Sequence, residues 1–591
     1  MSQTSIRKQL RKREGNITHR QEASEESNVN PSKLDADSNA TKTQANPNQG
    51  VIGEIISVTG SHALAMLNER TKDRSSQIRL ELGAILTIDT GSAIVLCLIG
   101  GMSIPAPSND AAHQDVKILE LELIGEFLRS SAKGPARFHR GVSAYPSLGD
   151  PVSVAGRSEL TALFASSGGS GVRIGVVKQD ASIPATINID DLFSRHAAIL
   201  GTTGAGKSCA VSLMMQSITD RYQSAHIVIL DPHNEYSRCF GDKAVVFDPT
   251  TFNLPFWMLT FDELIEVLYP GRSGSEAEIE ILSEMIPIVK KMGHSSSQST
   301  LRNATPNRML ESSHITVDTP TPYRLSDLLS LLDKALGGLN NSQNMIPYKK
   351  LRNRLYTISQ DARYTFMFGS LSVQDTMVDT LASLFRIPVD GQPISIIELG
   401  ALPAEVAQVL VSVISRLAFE FGLWSHGASP IAIIVEDAHR FAPADRSSGF
   451  SPTRKALTRL AKEGRKTGVS LWVVSQRPTE LDPAILSQCN TIFAMRLSNQ
   501  ADQETLRAIV PDASTSLLSS LPSLGMGEAI AVGEGVPLPT RIRFDAVRRS
   551  DVPRSLTASF TDGWTVEVDD DHYVRRIVEQ WRAQRLLPPE I

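Results

Sequence analysis

The chain has 591 residues, of which 41% are hydrophobic and 21% charged, so it has ample material for a large folded core. Its net charge of -5 gives no global basic field, and any contact with nucleic acid must therefore come from local patches or from a pore lined by several subunits. None of the four cysteines lies within metal-ligand spacing of another, which argues against a disulfide framework and a zinc site. The sequence favours a reducing, cytoplasmic location, without a secretory signal or a membrane-spanning run.

Residues 1–50 contain no Phe, Trp or Tyr and are rich in polar side chains, which predicts a disordered arm. Six basic residues within its first 20 suggest a tether for nucleic acid, although a solvated tail that contacts nothing is the simpler interpretation. From 51 to 155, Gly, Asp and Asn separate short β-rich runs, a pattern typical of a small β-barrel. These runs are Val51–Val58, Ala63–Leu67, Gln77–Leu80, Ala84–Ile88, Ala93–Ile99 and Val116–Leu123.

The pattern becomes α/β from about 156 to 545, where continuous apolar runs alternate with helical stretches, as expected of a parallel sheet covered on both faces. A long helical stretch at about 260–386, interrupted by the polar segment Gly293–Pro322, predicts a helical insertion with a mobile loop. Residues 546–591 form a tail with one predicted helix, Asp571–Arg585. The predicted strands are Ala197–Leu200, Ile227–Leu230, Ile394–Leu399, Ile431–Val435, Val469–Val474 and Thr491–Arg496.

The strongest motif follows the first of these strands and matches G-x-x-x-x-G-K-[ST] in full. Its glycines allow backbone N–H groups to surround phosphates, Lys207 reaches the β- and γ-phosphates, and the Ser208 hydroxyl takes a position on Mg²⁺. A helix predicted from Cys209 to Ile218 adds the favourable field of its N-terminus. The motif predicts binding of ATP and Mg²⁺ by Gly201, Thr202, Thr203, Gly204, Ala205, Gly206, Lys207, Ser208 and Cys209.

Two carboxylates end the apolar strand Ile431–Val435, at the edge where α/β proteins bind their ligands. A P-loop needs an acidic residue there to hold Mg²⁺ through water. We assign Glu436 to this role and Asp437 to polarising the attacking water. A solvent-facing charge pair at the end of a strand is the competing interpretation.

Other polar side chains follow neighbouring strands. Asp231 is predicted near the phosphates as a further carboxylate, whereas His233 and Glu235 fit a turn cap as well as a functional role. Gln476 is the candidate for sensing the γ-phosphate or its water. Arg465 is the candidate for a guanidinium that reaches the phosphate of a neighbouring subunit, although a basic residue that satisfies a helix C-terminus is the alternative.

Four segments in this order resemble the HerA ATPases of the HerA–FtsK superfamily. They are Arg195-His-Ala-Ala-Ile-Leu-Gly-Thr-Thr-Gly-Ala-Gly-Lys-Ser208, Leu230-Asp-Pro-His-Asn-Glu-Tyr236, Val435-Glu-Asp-Ala-His-Arg-Phe441 and Glu463-Gly-Arg-Lys-Thr-Gly-Val-Ser-Leu continuing to Ser475-Gln-Arg-Pro478. The resemblance covers residues 51 to 590, and the N-terminal barrel is similar to the family's HAS-barrel.

The resemblance implies a hexameric ring of RecA-like domains that moves along double-stranded DNA using ATP. It also implies a partner, either a NurA-like nuclease or an antiphage effector such as a sirtuin-type NADase. Under it, Lys207 and Ser208 are the P-loop pair, Glu436 and Asp437 the carboxylates, and Gln476 the sensor. Arg465 becomes the arginine that acts in trans, and Arg195 matches a family arginine near the nucleotide.

One position departs from the family pattern, since the second carboxylate is usually Glu and here is Asp437, which is one methylene shorter. Either the water is held differently, or hydrolysis is slow and the ring serves partly as a scaffold. The chain therefore has two candidate functions, a DNA-translocating motor and an ATP-bound platform that assembles and activates an effector enzyme. DNA-stimulated ATP hydrolysis distinguishes the two.

Overall fold

A computed structural model gives the architecture of the chain. It describes residues 50–68, 80–104, 116–129, 138–165, 170–248, 254–270, 275–298, 315–338, 342–368, 374–447, 449–510, 515–554, 560–565 and 571–582. The predicted disordered arm, apart from residue 50, lies outside these residues. So do 299–314, the middle of the predicted mobile loop, and most of the predicted strand Gln77–Leu80.

The N-terminal part is a small antiparallel barrel. Its strands run in the spatial order β2-β1-β7-β3-β4-β5, and β2 also pairs with β5, which closes the barrel and leaves β6 beside β5. Alternate side chains point inward and form a core of their own, because successive residues of a strand face opposite sides. The bounds are β1 Val51–Thr59, β2 His62–Leu67, β3 Ile85–Asp89, β4 Ala93–Ser103, β5 Ile118–Leu128, β6 Phe138–Arg140 and β7 Pro151–Val154.

The larger part is built on an 11-stranded sheet in the order β12-β13-β11-β14-β15-β10-β16-β17-β18-β8-β9. The segment from β12 to β16 is parallel, and the last four strands join it antiparallel. The bounds are β8 Gly171–Val177, β9 Pro184–Asn188, β10 His196–Leu200, β11 Ile227–Asp231, β12 Ala244–Phe247, β13 Ile394–Glu398, β14 Ile431–Val435, β15 Val469–Ser475, β16 Cys489–Ala494, β17 Glu528–Gly533 and β18 Thr540–Phe544.

Helices connect these strands and cover the sheet. Those of the region between β12 and β13 form the predicted helical insertion. The bounds are α1 Arg157–Ala165, α2 Ile189–Phe193, α3 Lys207–Arg221, α4 Phe261–Leu268, α5 Glu276–Gln298, α6 Leu325–Gly338, α7 Ser342–Ser359, α8 Thr365–Phe368, α9 Met377–Phe385, α10 Ala404–Trp424, α11 Ser451–Glu463, α12 Pro483–Leu486, α13 Gln500–Ile509, α14 Thr515–Leu518, α15 Phe560–Thr565 and α16 Asp571–Arg582.

Helix α10 is long and apolar enough to cross a membrane by length and composition, and 72% of its most apolar stretch is buried inside the protein. A core helix passes the same test, so this helix is weak evidence for a membrane segment. The predicted α/β class with a P-loop core and an N-terminal barrel is confirmed. The predicted domain boundaries stay predictions.

Candidate active site

The loop between β10 and α3 has the backbone geometry of a phosphate cradle. Gly204 and Gly206 adopt φ values of 77° and 105°, a region that side-chain-bearing residues rarely enter. Helix α3 begins at Lys207, so the unpaired N–H groups of its first turn point into the cradle. The Lys207 ammonium donates to the Thr202 carbonyl oxygen of the same loop at 3.3 Å. Burial lowers the pKa of Lys207, against the opposing effect of nearby carboxylates.

The strand order brings the predicted carboxylates to this loop. Strands β11, β14, β15 and β10 are parallel neighbours in this order, so their C-terminal ends meet at one edge of the sheet. Glu436 and Asp437 follow β14, and Gln476 follows β15, which lies between β14 and the P-loop strand. All three side chains therefore lie at the phosphate-binding edge.

Glu436 is buried, and the Tyr236 hydroxyl donates to its Oε2 at 2.6 Å. Burial raises the pKa of Glu436 to about 8, and the charge of Asp437 adds to the rise, while Tyr236 and Lys207 oppose it. A cation close to such a buried carboxylate favours its ionised form and opposes the rise in its pKa. Glu436 thus fits the chemistry of a group that holds Mg²⁺ beside the Ser208 hydroxyl.

Asp437 differs from Glu436 in its backbone and its partner. Its φ of 48° places it in the left-handed region, and its Oδ2 accepts a hydrogen bond from Nε2 of His233 at 2.7 Å. Burial acts to raise the pKa of Asp437, but the His233 hydrogen bond and the charges of His439, His233 and Lys207 outweigh it and lower the pKa. Asp437 is therefore ionised at neutral pH.

Gln476 links Asp437 to the P-loop. Its Nε2 lies 3.5 Å from both carboxylate oxygens of Asp437, at the limit of hydrogen bonding. Its Oε1 accepts a hydrogen bond from the Thr203 hydroxyl. A change in the conformation of the P-loop can therefore alter the position of Asp437 through the side-chain amide of Gln476.

Asp231 is fully buried and shapes the loop that follows β11. Its Oδ1 accepts the backbone N–H of His233 at 3.1 Å, and its Oδ2 accepts that of Tyr236 at 2.9 Å. Burial raises its pKa to about 6. Asp231 ends β11 at the phosphate-binding edge, and its two oxygens hold the backbone that carries His233 and Tyr236. Its predicted place near the phosphates stays a prediction.

The chain is similar to known proteins over most of its length. The family profile described as "Helicase HerA, central domain" matches residues 172–418. The "DNA double-strand break repair helicase HerA" of Sulfolobus acidocaldarius is 27% identical over 492 residues, covering 81% of this chain and 91% of that protein. Its namesake from Pyrococcus furiosus is 26% identical over 409 residues, covering 64% and 70%. Over this central region and most of its length, the chain is similar to HerA helicases, which supports a member of the HerA–FtsK superfamily.

A solved structure, that of VirB4 of Thermoanaerobacter pseudethanolicus, superposes with a TM-score of 0.44 at 17% identity, covering 65% of this chain and 98% of that one.

The two arginines that the HerA resemblance assigns do not reach the P-loop of their own chain. Arg195 precedes β10 and pairs with Glu534 at 2.9 Å, and Arg465 is exposed in the 3₁₀ turn Gly464–Thr467 that precedes β15. Both lie at the N-terminal edge of the sheet, about 16 Å from the opposite edge for a five-residue strand. Arg195 as a nucleotide contact stays a prediction, and its position does not favour a contact within its own subunit. Arg465 as a trans-acting residue stays a prediction.

Sequence reasoning missed Tyr236 and left the role of His233 open. Tyr236 is fully buried and contacts Glu436, although it is 200 positions away in sequence. The only signal was its place in the Asp231–Tyr236 run, after a strand that was expected at the same edge as the P-loop. The assignments of Lys207, Glu436, Asp437 and Gln476 to catalysis stay predictions that this geometry favours.

Proposed function

We propose that this chain is an ATP-dependent DNA translocase or helicase of the HerA type. It works as a homo-hexameric ring around double-stranded DNA, in the cytoplasm, with a nuclease or an antiphage effector as its partner. The names of the HerA relatives support the DNA-directed activity. The observation that carries the proposal is the P-loop with a buried Glu436 and an ionised Asp437 at the same sheet edge.

The site suits hydrolysis of ATP. Lys207 and the N–H groups of the first turn of α3 hold the β- and γ-phosphates, while Ser208 and Glu436 hold Mg²⁺. The cation supplies charge that neutralises the phosphate oxygens. Asp437 accepts a proton from water as the water oxygen attacks the γ-phosphorus, and the bond from phosphorus to the bridging oxygen breaks to release ADP. Gln476 orients this water.

The second candidate is an ATP-bound ring that assembles and activates an effector enzyme with little translocation. The short Asp437 side chain favours it, because a carboxylate one methylene further from the phosphates holds the water less well. In this case hydrolysis is slow and DNA does not accelerate it.

The test compares ATP turnover with and without long linear duplex DNA. A motor should turn over ATP at least about tenfold faster with DNA, and Lys207→Ala should abolish turnover because it removes the charge at the phosphates. Lys334→Ala, an exposed lysine on α6, is the matched control and should behave as wild type. ATP binding without DNA stimulation would support the scaffold, and normal turnover in Lys207→Ala would end the P-loop assignment.

A further inference from the structure

The loop that follows β11 is fixed from several sides and delivers one imidazole to the site. Asp231 accepts the His233 backbone N–H at 3.1 Å, and Asn234, with a left-handed φ of 54°, accepts the Gly400 N–H at 2.9 Å. The position of His233 is therefore set by contacts within the loop and with Gly400. Its side chain is about half exposed, so the imidazole lies at the rim of the site.

The His233 contact makes Asp437 the centre of a hydrogen-bonded chain of four side chains. His233 donates to Asp437 Oδ2 at 2.7 Å, Gln476 lies 3.5 Å from both Asp437 oxygens, and the Thr203 hydroxyl donates to Gln476. The chain runs from the loop after β11 through two strand ends to the P-loop. The carboxylate thus has a short contact on one side and a long one on the other.

The distribution of these contacts leaves one oxygen of Asp437 available to a water. Gln476 lies 3.5 Å from both oxygens, and His233 makes a short contact with Oδ2 in addition, so Oδ1 keeps more lone-pair capacity. Asp437 also has a left-handed backbone at φ 48°, which an aspartate tolerates at some cost.

The charges around His233 and Asp437 favour an ionised Asp437 carboxylate that accepts a hydrogen bond from the imidazole. The charges of Lys207 and His439 lower the pKa of Asp437, and the charge of Asp437 raises the pKa of the neighbouring Glu436. Asp437 and Glu235 raise the pKa of His233, and the charge of Arg440 opposes the rise. The hydrogen bond to Asp437 has the largest effect on the pKa of the imidazole, so the two side chains act as a pair.

We propose that His233 is a positioning residue for ATP hydrolysis, because its Nε2–H holds the Asp437 carboxylate so that Oδ1 meets the attacking water. This contact compensates for the shorter side chain of aspartate compared with glutamate. Neither the comparisons nor the P-loop motif assigns this role. The inference rests on the proposed function, since it requires Asp437 to accept the proton of the water.

The opposite role, a latch that keeps Asp437 away from the water, makes a different prediction. A latch would bind the oxygen that faces the P-loop and release it when nucleotide enters. Here Gln476, which the Thr203 hydroxyl contacts, lies 3.5 Å from both Asp437 oxygens, and His233 contacts Oδ2, so the rates of His233 variants distinguish the two roles. Removing a positioning residue slows hydrolysis, whereas removing a latch accelerates it.

The experiment measures steady-state ATP hydrolysis of the full chain, with its DNA-stimulated and basal rates, for His233→Ala and His233→Gln. The Ala variant loses the donor and should lower kcat about tenfold or more, with KM for ATP within about twofold of wild type, because the contact orients a group and does not bind nucleotide. The Gln variant carries an amide N–H that can reach Asp437 and should recover most of kcat. His62→Ala, an exposed histidine of the barrel, is the matched control.

A double mutant ties the effect to Asp437. If His233 acts only through Asp437, His233→Ala should change the residual rate of Asp437→Asn by less than about twofold. A kcat that stays normal or rises in His233→Ala, an unrecovered rate in His233→Gln, or an effect confined to KM would each overturn the inference. These outcomes are distinct from failure of the proposed function, in which the wild type would not hydrolyse ATP or Asp437→Asn would hydrolyse it normally.

Discussion

Glu436 and Asp437 are adjacent in sequence, yet the fold gives them opposite electrostatic environments. Glu436 is enclosed and bonded to Tyr236, and its pKa is raised to about 8. Asp437 turns toward His233 through a left-handed backbone, and its pKa is lowered. Two carboxylates with separated pKa values can divide their tasks, one holding a cation and the other accepting a proton.

We therefore expect Asp437→Asn to lose ATP hydrolysis, by about 100-fold or more, while it keeps ATP binding, because an amide cannot accept the proton of the water and Ser208 and Glu436 still hold the cation. Nucleotide titration and turnover measured on the same preparation check this. A collapse of ATP affinity with normal turnover would show that the two roles are assigned in the wrong order. Asp437→Glu is the companion variant, and faster turnover there would show that the short side chain restrains the enzyme.

At the scale of single residues, the sequence could predict which residue types lie in the site but not all of their hydrogen-bond partners. A strand that ends in two carboxylates, together with a complete P-loop, was enough to bring Glu436 and Asp437 to one edge. The hydroxyl of Tyr236 on Glu436 and the imidazole of His233 on Asp437 depend on how one loop folds back over its strand. That loop is set by the buried Asp231, whose two backbone contacts have no local sequence signature.

Among the elements, the turn before β17 supports the P-loop from outside the motif. The Gly527 N–H donates to the Ala205 carbonyl oxygen at 3.1 Å. Glu528, the next residue, accepts from Arg541 at 2.6 Å and from Lys178 at 2.8 Å. The turn is thereby held to two further strands, β18 and the end of β8.

We expect Glu528→Gln to raise KM for ATP a few-fold with little change in kcat, because the turn loses its ion pairs and holds the P-loop less firmly. Burial opposes ionisation of Glu528, but Arg541 and Lys178 lower its pKa to about 2, below an ordinary value of about 4.3. Its ionised form thus stabilises the fold above pH 4.3, and this contribution is lost as the pH falls toward 2. Solvent screening limits it to about 1 kcal/mol.

Acid unfolding of the Glu528→Gln variant and the wild type provides the check. Their unfolding free energies should differ at pH 6 and converge near pH 2. An equal difference at both pH values would mean that packing, not charge, explains the loss of stability.

The elements themselves were predictable where one physical rule dominates. Parallel strands buried on both faces read as continuous apolar runs, and all six predicted core strands are present, with bounds that differ by at most two residues. The parallel edge strand β12 was not predicted, and neither were β8, β9, β17 and β18, the four strands at the other end of the sheet. These four strands pair antiparallel, and Gly175, Gly533 and polar residues interrupt their apolar pattern. Long-range pairing of this kind leaves little trace in any short stretch of sequence.

At the scale of the whole molecule, the two arginines predicted from the family pattern lie on the edge of the sheet opposite to the P-loop. Arg465 is exposed there, on the turn between α11 and β15. A guanidinium in this place cannot reach the phosphates of its own chain. If it assists hydrolysis, it does so across a subunit boundary, so that catalysis requires a closed assembly.

Arg465→Ala is therefore expected to bind ATP and assemble, yet hydrolyse poorly. The sharper experiment mixes Arg465→Ala subunits with Lys207→Ala subunits. In a mixed ring, some interfaces join an intact P-loop to an intact Arg465, because each variant supplies what the other lacks. Such rings should recover part of the activity that neither variant has alone. If mixed rings form and remain inactive, Arg465 is an ordinary basic residue that satisfies the carbonyl groups at the end of α11, as its position after that helix also allows.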